Sequence, residues 1–394
     1  MKKVCCVIQR YGLDVNGGAE LLARQVAEKL NKYYEIDIIT TKAIDYNTWK
    51  NEYEADEEYI NGVHVLRFPN EKERDQSKFK EVHDQMILNG QYAIDQEEWL
   101  VEQGPFCPKL IQYLKKNHQN YEAIILFTYL YYPIVKAIKI APEKTIVIPF
   151  AHNEPPFHMD IIKDVFMLPK AFVFETEEER QLIRSKFNNY NIPYVLGGAG
   201  VEVTSEIDIK RFKEKYNLDN YVIYVGRIDE AKNCKELFEY FLKYKEENPS
   251  DLKLVLMGKV GIDIPDSEDI LSLGFVSDED KFSGIAGSKV LIMPSKFESL
   301  SIVVLEAFTL GVPVLVNGAC GVLKGHIDKS FGGYAYHDYD DFVRKLDNLV
   351  NNEKVNKTKG KNGKAYVDAY YQWDIIITKI RNQIEYVINS KEQQ

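Results

Sequence analysis

The chain has 394 residues, 45% of them hydrophobic, and a formal net charge of −10, so it is globular and long enough for two domains rather than one core. That charge leaves no basic stripe to follow a phosphate backbone, which excludes a general nucleic-acid binder. No run approaches the roughly 18 apolar residues of a membrane span, and Met1-Lys2-Lys3 leads straight into a strand-like run, so a cytoplasmic protein is expected.

The first half alternates strand and helix. Apolar runs at 3–9, 36–40, 63–68, 123–128, 145–150 and 171–175 read as strands, and periodic segments at 19–31, 105–117 and 177–187 as helices. Such alternation implies a parallel sheet covered by helices. Between the first strand and first helix, residues 9–19 form a loop holding Gly17-Gly18, with Glu20 in the helix's first turn. A glycine pair lets backbone approach a ligand closely, although a plain flexible turn would look the same. The spacing is not the Gly-x-Gly-x-x-Gly fingerprint, which argues against NAD. Residues 45–103 are charged and less regular, with a strand and helices at 77–89 and 95–103, and decorate the first domain. Tyr129, Tyr131 and Tyr132 offer either stacking faces for a sugar or packing under a helix. His152, in Ala151-His152-Asn153-Glu154-Pro155, follows the strand at 145–150. It can bond a sugar hydroxyl or phosphate oxygen, or serve as an ordinary loop histidine.

The pattern restarts after Gly197-Gly198-Ala199-Gly200. A strand at 221–225 ends in Gly226-Arg227, with Lys232 five residues on, before a helix over 234–245. Strand ends of this kind bind ligands in open α/β sheets. A guanidinium and an ammonium there can hold a diphosphate and stabilise charge growing on it; a solvated Arg and Lys is the alternative. Strands at 252–257, 271–275, 290–293 and 312–316 follow. Between the last two, a polar turn carries Glu298 and a helix starting near Ser301 and stopping at Gly311 carries Glu306. That helix is otherwise apolar, so the Glu306 carboxylate needs hydrogen-bond donors. Ligand hydroxyls supply them, or a neighbouring Arg, Lys or backbone group. Backbone N–H groups of Ser299, Leu300 and Ser301 offer a seat for phosphate at the helix start.

Asp338-Tyr339-Asp340 is rejected as a metal pair because acidic caps are expected before the helix at 342–350. His152 and His158 do not form a zinc pair, and no metal is assigned. The five cysteines, odd in number and without metal spacing, are read as reduced structural thiols. Residues 373–388 form an amphipathic helix through Ile376, Ile380, Ile384 and Val387.

Together, Glu298 and Glu306 at this spacing, Gly226-Arg227 with Lys232, and the Gly17-Gly18 loop resemble family 4 of the retaining glycosyltransferases. The stretches Tyr46-Asn47-Thr48-Trp49-Lys50-Asn51-Glu52-Tyr53 and 151–155 resemble its bacterial surface-glycan members. The resemblance implies an α/β GT-B fold, two Rossmann-like domains facing each other across a cleft. Residues 1–203 would be the acceptor-side domain, joined by a C-terminal helix over 373–394, and 204–372 the nucleotide-sugar domain. It implies that Glu298 contacts donor-sugar hydroxyls, Glu306 the ribose, and Arg227 and Lys232 the diphosphate. Leu300 and Ser301 would add backbone contacts to phosphate, and backbone around Phe275-Val276 would read the base. His152 would lie near the transferred sugar, making Glu298, His152, Arg227 and Lys232 the catalytic set, while Gly17 and Gly18 close over the donor. The chain departs from the family pattern where Ser299-Leu300-Ser301 replaces flanking glycines.

The expected function is metal-independent transfer of a hexosyl unit, without a cofactor, from a UDP- or GDP-linked sugar to a hydroxyl of a glycan or glycolipid. Peripheral contact with the inner face of a membrane stays open. The alternatives are a nucleotide-sugar epimerase of the same architecture and a non-catalytic sugar-nucleotide-binding partner subunit.

Overall fold

Continuous apolar runs such as Val4-Cys5-Cys6-Val7 and Ile124-Ile125-Leu126-Phe127 suit strands covered on both faces, and all of these side chains are buried. The computed structural model describes residues 1–203 and 205–390. They divide into one unit of Met1–Gly198 with the chain from Ile377 on, and a second of Ala199–Ile376. The expected domain start at 204 and the last four residues of the expected 373–394 helix lie outside the described residues.

In the first unit, strands β1 (Lys3–Val7), β2 (Glu35–Thr41), β3 (Glu57–Ile60), β4 (Val63–Phe68), β5 (Ala123–Phe127), β6 (Thr145–Ile148), β7 (Ala171–Phe174) and β8 (Tyr194–Leu196) form one sheet. Its order is β3-β4-β2-β1-β5-β6-β7-β8. Only β3 runs antiparallel, against β4; the remaining pairs are parallel. Parallel strands need crossovers, and helices Gly18–Leu30, Pro108–Asn117 and Glu177–Phe187 lie in those from β1 to β2, β4 to β5 and β7 to β8. The order reverses between β1 and β5, so loops after their C-terminal ends splay apart there and leave a crevice.

The second unit repeats the plan with β9 (Tyr221–Val225), β10 (Lys253–Met257), β11 (Ile270–Ser272), β12 (Leu291–Met293), β13 (Val314–Asn317) and β14 (Gly333–Tyr336). All pairs are parallel, in the order β11-β10-β9-β12-β13-β14. The reversal here falls between β9 and β12.

Some elements differ from their expected bounds. The strand expected at 271–275 is cut to Ile270–Ser272 because Gly274, at φ 65°, turns the chain. The helix expected at 342–350 starts earlier, as Tyr339–Asn351, with Asp338 capping it by accepting from the Asp341 N–H at 2.8 Å. Helices Asp278–Gly287 and Glu353–Tyr370 were not anticipated. The second carries Gly360 and Gly363, poor helix residues in isolation. A Cβ at Gly360 would lie 1.9 Å from the Gly311 carbonyl oxygen, and one at Gly363 would lie 2.2 Å from the Phe308 ring. Close packing on the helix Ile302–Thr309 therefore overrides propensity. Helix Trp373–Asn389 spans the division between the units and buries Ile380 and Ile384. Within the first unit its Glu385 accepts from Lys2 at 2.7 Å and the Tyr34 hydroxyl at 2.8 Å. Among the described residues no helix is long and apolar enough to cross a membrane.

Candidate active site

In the second unit the strand order reverses between β9 and β12, and the sequence places ionisable groups at both C-terminal ends. The Lys232 ammonium donates to Glu298 Oε1 at 2.6 Å, with both side chains mostly shielded from solvent. Lys232 is seated by Asp229, whose Oδ1 accepts its backbone N–H at 2.9 Å. Arg227 is differently disposed: its guanidinium lies 3.2 Å from Asp229 Oδ2 and is 66% exposed, so it reaches into solvent at the strand mouth. Gly226 and Gly258 allow the ends of β9 and β10 to touch. A Cβ at Gly258, whose φ is 143°, would stand 1.9 Å from the Gly226 carbonyl oxygen.

The polar turn after β12 leads to helix Ile302–Thr309. Ser301 takes a left-handed conformation at φ 63°, costly for a residue with a side chain and frequent at functional turns. Its Oγ is buried and has no hydrogen-bond partner among the described residues, a group suited to a ligand atom. Leu300 is buried, and its carbonyl accepts from His326 Nε2 at 2.8 Å, which holds the turn in place. Glu306 has a protein partner: Lys281 Nζ donates to its Oε1 at 2.9 Å. Burial pushes the Glu306 carboxyl up from its ordinary range, and the Lys281 charge and hydrogen bond oppose that. Lys281 lies on Asp278–Gly287 and was missed in the sequence, where nothing linked it to a carboxylate 25 residues away. Phe275 is 85% exposed, just past the Gly274 turn, and Val276 is half-buried.

At the first unit's reversal, between β1 and β5, the Gly17-Gly18 loop packs on a charged pair. Arg10 donates to Glu20 Oε1 from Nε at 3.0 Å and Nη2 at 2.6 Å, and Gln9 donates to the same oxygen at 2.9 Å. Both charged side chains are buried. Arg10 also donates to the Ile44 and Asn16 carbonyls at 2.7 and 3.0 Å, so it ties its own loop to the loop after β2 and to the helix carrying Glu20. Gly17 fits only without a side chain, whereas Gly18 has open space where a Cβ would stand. Arg10 was not singled out from sequence, because its role depends on loop closure.

After β5 and β6, Thr128 and Phe150 take positive φ values of 75° and 53°. His152 Nε2 lies 3.2 Å from Glu154 Oε2. Tyr129 is buried and its hydroxyl donates to Glu154. It is therefore no stacking face; it fixes the acid beside His152. Burial raises the Glu154 carboxyl, but bonds from His152 and Tyr129 outweigh that and hold it below the usual range. Beneath this loop Glu179 accepts the Ala151 N–H at 2.6 Å and the Glu175 N–H at 2.7 Å.

The geometry thus joins Lys232 with Glu298 and, separately, Glu306 with Lys281 in the second unit, while His152, Gly17 and Gly18 belong to the first. Among the described residues no cluster suited to a metal is present.

Two α/β units with ionisable groups at their strand-order reversals are the plan of the GT-B fold, and solved structures agree. Sucrose-phosphate synthase from Thermosynechococcus elongatus superposes with TM-score 0.73 at 17% identity, covering 99% of this chain and all of that one. Anabaena HepE, solved in complex with UDP and glucose, gives 0.71 at 15% identity, covering 98% of this chain and all of that one. Within this fold, residues 205–366 match the family model of Glycosyl transferases group 1, so the second unit carries a domain of that kind. Among curated relatives, the capsular polysaccharide biosynthesis glycosyltransferase CapM of Staphylococcus aureus is 26% identical over 202 residues, which is 48% of this chain and 52% of CapM. The match therefore spans about half of that relative's length.

Proposed function

We propose that this chain is a retaining glycosyltransferase of the family 4 type. It moves a hexosyl unit from a nucleotide-diphosphate sugar, UDP- or GDP-linked, to a hydroxyl of a glycan or glycolipid. The observation that carries this reading is the set of groups around the second unit's strand reversal: two lysine–carboxylate pairs, an exposed arginine and an orphaned buried hydroxyl. HepE is solved with UDP and glucose, which favours the same kind of ligand here.

In this reading Arg227 and Lys232 take the diphosphate and neutralise charge that accumulates as the sugar leaves it, so no metal is required. The Ser301 hydroxyl and backbone N–H groups at Leu300 and Ser301 add donors to phosphate. Glu306 accepts from the ribose hydroxyls, Glu298 orients the sugar, and backbone at Phe275-Val276 meets the base. His152, oriented by Glu154, serves the transferred sugar from the first unit, where Gly17-Gly18 also approaches the donor. Retention follows from attack on the face the leaving group vacates, with a donor phosphate oxygen taking the acceptor's proton. A cytoplasmic location, at or near the inner face of a membrane, is part of this reading and rests on the sequence.

Calorimetry with UDP and GDP tests it. Glu306→Gln keeps the side chain's shape and removes its charge, and is expected to weaken the preferred nucleotide about tenfold, close to 1.4 kcal/mol. Unchanged affinity would sink the ribose assignment. Loss of transfer from UDP- or GDP-sugars in Lys232→Ala then separates an enzyme from a binding subunit.

A further inference from the structure

Loops after β1, β2, β4, β5 and β6 gather at the C-terminal mouth of the first unit's sheet, and a half-buried cation there, Arg74, has no carboxylate partner among the described residues. Arg74, half-buried in the loop after β4, has its guanidinium carbon 5.0 Å from the ring centres of Tyr46 and Trp49 and 4.6 Å from that of Phe79. Its Nη2 donates to the backbone and side-chain oxygens of Gln103. Its Nε is buried with no hydrogen-bond partner among the described residues. Nearby carboxylates are engaged elsewhere: Glu20 by Arg10, Asp45 by the N–H groups of Asn47 and Thr48, Glu154 by His152 and Tyr129. Among the described residues none pairs with Arg74. Nor is His83, its ring tilted against Phe79 at 5.2 Å, a second cation at neutral pH, because burial pushes its pKa down.

The rings beside Arg74 are held by their neighbours. Trp49 is buried and donates its indole N–H to the Gln103 carbonyl at 2.8 Å. Tyr46 is 39% exposed yet held edge-on by Trp49 at 5.3 Å and Tyr131 at 6.4 Å. Arg74 and the paired Arg10 lie over this ring at 5.0 and 5.6 Å; its exposed edge offers apolar contact to a pyranose, and the planar Arg74 guanidinium next to that edge matches a carboxylate or phosphate. We propose that Tyr46 and Arg74 form an acceptor subsite that selects a glycan whose bound sugar carries an oxyanion. This rests on the glycosyltransferase reading and adds the acceptor's chemical class to it.

The test is calorimetry on the full chain with trigalacturonate, neutral galactotriose and glucose 6-phosphate, and separately with UDP and GDP. Trigalacturonate is expected to bind at least tenfold more tightly than galactotriose. Arg74→Met should bring the two together, and Arg74→Lys should fall between, since an ammonium cannot bond in two parallel contacts. Equal binding of charged and neutral trisaccharides by the native chain, or no loss in Arg74→Met, overturns the proposal. Glucose 6-phosphate binding alone, lost in Arg74→Met, upholds the oxyanion site and names phosphate as its ligand. Nucleotide binding with no response to any of the three sugars overturns this subsite and leaves the donor reading standing. If Arg74→Met does not fold, weakening of the trigalacturonate complex alone by added salt decides the matter.

Discussion

Gly17 and Gly18 are adjacent and chemically identical, yet the structure asks different things of them. A Cβ at Gly17 would stand 2.1 Å from Glu20 Oε2 and 3.3 Å from Arg10 Nη2; at Gly18 it would meet nothing within 4 Å. Gly17→Ala is therefore expected to push Glu20 off Arg10 and Gln9, freeing a buried charge pair, and to cost roughly 3–5 kcal/mol. Gly18→Ala opens the helix Gly18–Leu30 and should be neutral or stabilising by up to about 1 kcal/mol. Urea unfolding of the two variants checks this, and equal effects would refute the assigned contact. The sequence showed the pair and its place after β1, but not which glycine is obligatory, because the obstacle is the Glu20 side chain as oriented by Gln9 and Arg10 at the start of the same loop. The same holds at the second unit's site. Glu298 and Glu306 stood out by their spacing, and Glu306 by its apolar helix, whereas the ammonium groups that meet them come from segments 66 and 25 residues away. One of these, Lys232, was marked by its strand end; Lys281 was not.

Helix Glu177–Phe187 shows what an element contributes beyond its core face. Thr176 caps it by accepting the Glu179 N–H at 3.1 Å, and Glu179 reaches back to the N–H groups of Glu175 and Ala151. One buried carboxylate thereby anchors the ends of two loops, including the one that carries His152. Burial pushes its pKa up to about 8, against those two donors and the nearby His152. Glu179→Ala leaves both buried N–H groups without an acceptor and should destabilise the chain by about 2–5 kcal/mol. The pH dependence has a definite sign. With its native pKa above the unfolded value, the folded chain holds the proton longer. The stability this confers is complete below the ordinary carboxylate range and lost as pH rises toward 8. Glu179→Gln cannot titrate, so its urea midpoint should change less between about pH 5 and pH 8 than that of the native chain; matching slopes would remove Glu179 as the cause. The helix itself was legible at 177–187 from periodicity. Glu353–Tyr370 was not, since two glycines and a lysine-rich surface hide a helix formed by packing on Ile302–Thr309.

At the scale of the molecule, alternation of strands and helices made both parallel sheets readable, because a strand covered on both faces must be a continuous apolar run. Strand order was not readable, yet it decides where ligands sit: the reversals between β1 and β5 and between β9 and β12 put the ionisable groups at one end of each sheet. The opposite ends are built differently. In the second unit the Asn220 side chain donates to Asp251 at 2.7 Å there, and the buried Lys245 ammonium donates to the carbonyls of Ser250 and Leu252. These contacts are closed within the fold. Hydrogen exchange with and without a saturating nucleotide should therefore divide the second unit along its strands. Amides in 226–233, 274–281 and 298–306 should slow, since a ligand bound only to the native state suppresses local opening by its own binding free energy. Those in 217–220 and 248–252, at the other end of the same strands, should keep their rates. Protection at 217–220 and 248–252 instead would move the nucleotide to the wrong end of the sheet and end the assignment of Lys232, Glu298 and Glu306.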